Sequence, residues 1–379
     1  MDGWLAAAAD RRRDDGLVRR TDARRHPRAR DGVLDLASND YLGLATDARL
    51  RAAAIVATER YGTGAGASRV VTGTTGAHDD LEDALVTLTG QRSALVFSSG
   101  YAANTGLLTA LGDPDTLIIS DAHVHASLID GARLSRSPVV VCPHADLGAL
   151  ESLLRNRNEP RVVVVVESVY SVLGDAADLV RTAALCREHD ALLVVDEAHG
   201  IGVLGEGRGA VHAAGLAGAP HVAVTATLSK ALGAQGGAVL GAPALREHLV
   251  NSARSFVFDT GLAPAAAAAA AQAARIVDAD PGLPAALHAV ADVVAAAAGV
   301  ERAPGAVQSV PADGPGQAVA AAETLLDAGV LVGCFRPPSV PDGISRLRLV
   351  ARAGVDVDRA AQAADLAGRS VRTPVGGAV

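Results

Sequence analysis

Short β-branched runs recur along the first two-thirds of this chain, separated by stretches in which leucine and alanine return every three or four positions. VLDLA (33–37), ALVF (94–97), TLIIS (116–120), VVVC (139–142), RVVVVVE (161–167), ALLVVD (191–196) and VAVTAT (222–227) read as strands. Several are apolar almost throughout, so helices should cover both faces of a mostly parallel sheet. Helical spacing puts Leu50, Ala54 and Ala57 on one face of residues 47–61, capped by Thr46 or Asp47, and Leu81, Leu85 and Leu88 on one face of residues 77–89. Past Gly241 the pattern changes: a turn at 256–264 leads into an alanine-rich helix to about 278, read as a connector. Helices near 283–298, 316–328 and 356–368 and a strand at 344–349 then predict a smaller α/β unit. The expected division is an N-terminal arm and strand over 1–45, a large domain over 46–275 and a small C-terminal domain over 276–379.

Composition narrows the class. A chain of 379 residues exceeds one ordinary core, and a net charge of -8 spread over mixed signs argues against nucleic acid as a partner. With 2% aromatic residues the core must be built from small aliphatics. The 3 cysteines, Cys142, Cys186 and Cys334, lie far apart, which indicates neither a disulfide framework nor a zinc site and suits a reducing cytoplasm. Near the N-terminus the apolar residues 5–9 precede the basic run, the reverse of a secretory signal. The apolar stretches 265–274 and 286–300 are broken by Gln272, His288 and Asp292 and read as packed helices, not membrane spans. Over residues 1–30 arginine alternates with aspartate, which fits either a solvated helix with local ion pairs or an arginine that holds an anion.

The candidate chemistry gathers at strand ends. VAVTAT feeds a polar turn with one lysine, Lys230, followed by small residues and glycines. An amine at the mouth of an apolar strand is partly desolvated, which lowers its pKa and suits attack on a carbonyl. ALLVVD ends in Asp196, with His199 three residues on, and the two segments are spaced like one strand-helix-strand unit. Neighbouring parallel strands would bring acid and amine to one sheet edge, as a pyridoxal phosphate site requires: an amine to bond the aldehyde and an acid to keep the ring nitrogen protonated. At Ser98-Ser99-Gly100 a strand passes at once into a helix, whose free N-H groups make an anion cradle suited to a phosphate, and Ser171 lies just past another strand on that edge. The glycine-rich GTGAGASR (62–69) lacks the ending of a P-loop and follows a helix, so it reads as a loop of close backbone approach. His123 and His125, if extended, would share one side of a strand, but no third ligand at a recognised spacing supports zinc. One of them stacked on a flat ring is the other functional reading. Pro338 and Pro341 belong to a stiff loop beside Ser339, and Arg348 follows; both could face a substrate carboxylate.

Six motifs in order, SNDYLGL (38–44), FSSGYAAN (97–104), HASL (125–128), VDEAHG (195–200), LSKA (228–231) and RPPSVP (336–341), make the chain resemble the α-oxoamine synthases. These are fold-type I pyridoxal-phosphate enzymes that join an amino acid to an acyl thioester with loss of carbon dioxide. The proline loop and chain length are most similar to the biotin-pathway branch. There the resemblance implies L-alanine and pimeloyl-CoA or pimeloyl-acyl-carrier protein as substrates, with sister activities on glycine and acetyl- or succinyl-CoA, or serine and a long acyl-CoA, as alternatives.

The resemblance implies a role for each matching position. Lys230 would bond the aldehyde, Asp196 would face the ring nitrogen, His199 the ring hydroxyl, and His125 would stack on the ring. Gly100 and Tyr101 would give backbone contacts beside Ser99, and Ser171 and Thr227 would bond the polar edge. Thr260 would serve a neighbouring subunit's phosphate, which implies a homodimer with its active site at the interface. Arg19, Ser339 and Arg348, with Asn39 nearby, match positions that contact a substrate carboxylate.

Overall fold

The computed structural model describes residues 1–14, 18 and 32–372. Eleven strands among them form two sheets. The strands are β1 (Leu34–Leu36), β2 (Ser93–Phe97), β3 (Thr116–Asp121), β4 (Val139–Cys142), β5 (Arg161–Glu167), β6 (Leu192–Asp196), β7 (Val222–Thr227), β8 (Gly237–Gly241), β9 (Val307–Pro311), β10 (Val330–Phe335) and β11 (Arg346–Val350). The larger sheet has the order β2-β8-β7-β6-β5-β3-β4, and all but β8 run in one direction. The smaller sheet is β1-β10-β11-β9, so the strand read in the N-terminal arm pairs with strands from the far end of the chain.

The pattern of the sequence explains the larger sheet. Val162 to Val166, Leu193 to Val195 and Val222 to Val224 are buried to within a few per cent, as expected of strands covered on both faces. Helices Ala48–Tyr61 and Gly76–Thr89 cover one face, the first capped by the Asp47 carboxylate and the second burying Leu81, Leu85 and Leu88. Helix Gly100–Leu111 covers the other, packing under β8, β7 and β2 with Leu107 and Leu108 in the core of that face. Helix Pro264–Ala279 corrects the reading of a connector. Ala267, Ala270, Ala271, Ala273 and Ala274 are fully buried in the core that it shares with the helices 48–61 and 76–89, because alanine allows the close approach.

Three further expectations change. The connection from β6 to β7 carries one short helix, Ala210–Ala213, and a 3-10 turn, where a full crossover helix was expected. The residues 256–264 begin inside a helical turn, Arg254–Val257. His123 and His125 do not lie on a strand: β3 ends at Asp121, and His125 caps the helix Ala126–Leu134. No single helix among the described residues is long and apolar enough to cross a membrane.

Candidate active site

The C-terminal ends of β5, β6 and β7 and the start of helix Gly100–Leu111 enclose a cavity of about 240 Å³. The parallel register that pairs Asp196 with Thr225 on β7 and with Glu167 on β5 sets three polar side chains side by side at this edge. Lys230 enters three residues past β7, on a turn closed by the Gly233 N-H donating to the Lys230 carbonyl. Ser99, Gly100, Tyr101, His125, Ser171, His199 and Thr227 line the same space, so nine of the residues read from the sequence as catalytic or cofactor-binding meet there. A side chain at position 100 would bring its Cβ within 3.1 Å of the Thr227 Cβ; glycine there lets the helix terminus abut the wall.

Each group is held by a definite partner. The Asp196 carboxylate accepts from the Asn104 amide at 2.8 Å and from the Ala198 N-H at 2.8 Å. Asn104 also donates to Ser127 at 2.8 Å, and Ser127 lies 2.8 Å from Nδ1 of His125. The Lys230 ammonium is 2.9 Å from Nε2 of His199, whose Nδ1 is 2.6 Å from the Tyr41 hydroxyl. The Tyr41 hydroxyl donates to Oδ1 of the Asn39 side chain at 3.2 Å, which also accepts from Arg348 at 3.1 Å. One assignment satisfies this row: His199 donates from Nδ1 to the Tyr41 oxygen and accepts from Lys230 at Nε2.

Burial sets the titration of the cluster. It pushes Lys230 down to about 8, although Asp196 and Glu167 pull it the other way. Lys230 is part-buried and keeps some of its surface open to the cavity. His199 falls well below the ordinary imidazole value through burial and the neighbouring Lys230 charge, and His125 falls through burial, so both rings are neutral near pH 7. Burial and the adjacent Asp196 push the Glu167 carboxyl well above its usual range, and burial raises Tyr41 to about 12.

A wider cavity of about 610 Å³ opens beside the first and shares His125, Ser171, His199 and Lys230 with it. Its wall adds Asn39, Ser339 and Arg348, so three of the positions read as substrate contacts face one space. Arg19 lies outside the described residues. Thr260 is exposed and lines neither cavity of its own chain. The His123 ring stacks on that of His144 with centroids 3.7 Å apart, and only His144 bonds through its ring nitrogens, to Asp121 and Asp175; no group of three or more metal-binding side chains occurs among the described residues. Arg69, at the end of the glycine-rich loop, is buried against Glu82 at 3.0 Å and holds that loop to helix Gly76–Thr89.

Sequence reasoning missed Asn104, Ser127, Glu167 and Ser229, which line the smaller cavity, and the bonds of Tyr41. Asn104 stands one helical turn after Gly100, so the spacing of a polar residue on an apolar helix was a usable signal. Tyr41 offered none beyond its motif, because its partner is 158 positions away.

The residues fit pyridoxal phosphate. The Gly100 and Tyr101 N-H groups at the start of helix Gly100–Leu111 have no helical partners, while that of Ala102 donates to the Ser99 hydroxyl, and hydroxyls of Thr227 and Ser229 line the same cavity, as a phosphate requires. Asn104 Oδ1, Thr225 Oγ1 and Glu167 Oε1 are buried around the cavity with no protein partner, polar atoms that await one. The fold and this site together define the class. The sequence profile described as Aminotransferase class I and II matches residues 31–366, and the chain belongs to that family.

Particular relatives are closer in kind. The chain is 54% identical over 365 residues to the 8-amino-7-oxononanoate synthase of Mycolicibacterium smegmatis, covering 95% of this chain and 94% of the relative. Among solved structures, it resembles an 8-amino-7-oxononanoate synthase from Francisella tularensis with a TM-score of 0.78 at 25% identity, covering 90% of this chain and 99% of the other. A serine palmitoyltransferase from S. paucimobilis with bound pyridoxal phosphate and myriocin superposes with a TM-score of 0.89 at 30% identity, over 97% of each chain.

Proposed function

We propose that this chain condenses L-alanine with a pimeloyl thioester, carried by coenzyme A or a carrier protein, releasing carbon dioxide and forming 8-amino-7-oxononanoate for biotin synthesis. The observation that carries the reading is the meeting of the Lys230 amine and the Asp196 carboxylate in one cavity, in a chain whose full-length relatives bear that name. When bound, pyridoxal phosphate supplies an electron-withdrawing ring that makes the amino-acid Cα-H acidic and accepts the electrons of a broken bond.

The chain's own residues do the rest. With its pKa lowered to about 8, Lys230 is a neutral amine in roughly a tenth of molecules at pH 7, far more than an ordinary lysine; it would hold the cofactor aldehyde and is the base within reach of a proton at the substrate Cα. Asp196, locked by Asn104 and the Ala198 N-H, keeps its carboxylate aimed into the cavity to hold a proton on the ring nitrogen. Neutral His125 offers a flat ring face, and His199 presents Nε2 where a ring hydroxyl can exchange with the Lys230 amine. The first-turn N-H groups at Gly100 and Tyr101, with Ser99, Ser171 and Thr227, would hold the polar edge and phosphate. Arg348, steadied by Asn39, and Ser339 would take a substrate carboxylate, with Arg19 the further contact that the sequence suggests. Thr260 completes the phosphate site of a partner subunit, so the working unit is a cytoplasmic homodimer, with large and small domains dividing near residue 276.

Purified protein supplied with alanine, glycine or serine against pimeloyl, acetyl, succinyl and palmitoyl thioesters tests the reading through free thiol and product mass. Alanine with the pimeloyl donor should exceed every other pair by at least tenfold in kcat/KM. A higher value for glycine or serine would assign the chain to a sister activity.

A further inference from the structure

Behind His125 lies a second set of titratable side chains that the proposed reaction does not use. The His144 ring spans two carboxylates: Nδ1 is 2.9 Å from Asp121 Oδ1 and Nε2 is 2.7 Å from Asp175 Oδ2. Asp121 also accepts the His123 N-H at 2.7 Å and the Ala145 N-H at 3.0 Å. Asp121 thereby pins the turn between β3 and His125. Asp175 sits four residues past Ser171 in the loop after β5, and its carbonyl accepts the Tyr170 N-H at 2.8 Å. The two segments leave the neighbouring strands β3 and β5, and the Glu167 carboxylate accepts backbone bonds from both His125 and Ser171, so the His144 bridge is a second tie between them, farther from the strand ends.

We propose that His144 is a positioning residue: by bridging Asp121 to Asp175 it ties the turn that carries His125 to the loop that carries Ser171. Both of those residues line both cavities, so the bridge helps to fix one wall of the site. Asp121 already accepts from two backbone N-H groups, so it acts as a carboxylate acceptor; a ring with carboxylates at both nitrogens must donate from both and is an imidazolium. His123 stacks on that cation at 3.7 Å and 17°, Tyr170 meets it edge-on at 4.5 Å, and both line the wider cavity. Asp121, Asp175, His123 and Tyr170 are the titratable groups that face His144 among the described residues.

The sign of the pH dependence follows. Burial alone would lower the His144 pKa, but the two carboxylates outweigh it and raise it to about 9 from 6.5. The bridge is therefore at full strength below about pH 6.5, where the free imidazole is also charged, and is lost as pH climbs through about 9. The inference rests on the cavity being a cofactor site, and the test separates the two.

Holoenzyme and cofactor-free enzyme are compared as wild type, His144→Asn, Asp175→Asn and Asp175→Glu. The visible circular dichroism of bound pyridoxal phosphate, its rate of loss on dilution, and hydrogen exchange of residues 121–127 and 170–176 across pH 7 to 10 are recorded. In the wild type, both segments should lose protection together near pH 9, after correction for intrinsic exchange. In Asp175→Asn that midpoint should fall by about one unit, and in Asp175→Glu it should return. His144→Asn should lose cofactor about tenfold faster, with a weakened dichroic band at pH 7.5, as expected of one charge-assisted bond removed. A lower melting temperature with unchanged band, retention and exchange would reduce His144 to a structural role and overturn the proposal. Wild type that takes up no cofactor would defeat the reading of the cavity, while the exchange data would still decide whether His144 couples the two segments.

Discussion

At Lys230 two opposing influences meet, and burial wins over the attraction of Asp196 and Glu167. The consequence is kinetic. Capture of pyridoxal phosphate by cofactor-free protein should accelerate as pH rises toward 8 and level off above it, because only the unprotonated amine attacks; stopped-flow absorbance measures this. Asn104 gives a second residue-scale prediction. Replacing it with alanine leaves the Asp196 carboxylate without one of its two hydrogen bonds, so kcat should fall about tenfold with the cofactor still bound. A near-normal single-turnover rate in that variant would show that Asp196 needs no such support. Lys230, Asp196 and His199 were legible in the sequence because each follows a strand whose apolar run marks its end, and parallel strands share an edge. Glu167 was not, since an acid that closes a valine run looks like any strand-end charge until its neighbour in register is known to be Asp196. Tyr41 was hidden for a related reason: a buried tyrosine says nothing of a partner 158 positions away.

At the scale of elements, periodicity predicted six of the seven strands of the larger sheet and the helices that bury leucine, usually within two residues. It failed where burial came from alanine. Helix Pro264–Ala279 has no bulky apolar face, so its pattern suggested a link between units, whereas five of its alanines pack against neighbouring helices without remaining exposure. Close packing of that kind tolerates little added volume. Ala271→Leu should lower stability by about 1–3 kcal/mol, measured by urea unfolding, with the cofactor absorbance of the folded fraction unchanged. The β8 and β9 strands escaped notice because GAVLG is bounded by glycines that read as a turn and VQSVP carries two polar residues and a proline. The glycine-rich loop is anchored by a buried ion-pair set in which Glu82 accepts from Arg69 at 3.0 Å and Arg246 at 2.9 Å. Glu82→Ala would strand a buried guanidinium and cost about 3–5 kcal/mol in the same assay.

For the whole molecule, the arrangement of the two sheets is what makes a site of these parts. The larger sheet delivers Lys230, Asp196 and His199, and the smaller sheet brings Arg348 on β11 to Asn39, just past β1, beside the same cavity. The chain order alone hides this, because β1 near the start pairs with β10 near the end. The central claim is that the Lys230 amine and the Asp196 carboxylate serve one bound pyridoxal phosphate. Borohydride reduction of the holoenzyme, followed by proteolysis and mass mapping, tests it most directly. One cofactor per chain should be fixed on the peptide that contains Lys230, and Lys230→Ala should carry none; a label on any other peptide, or none on the wild type, would contradict the account.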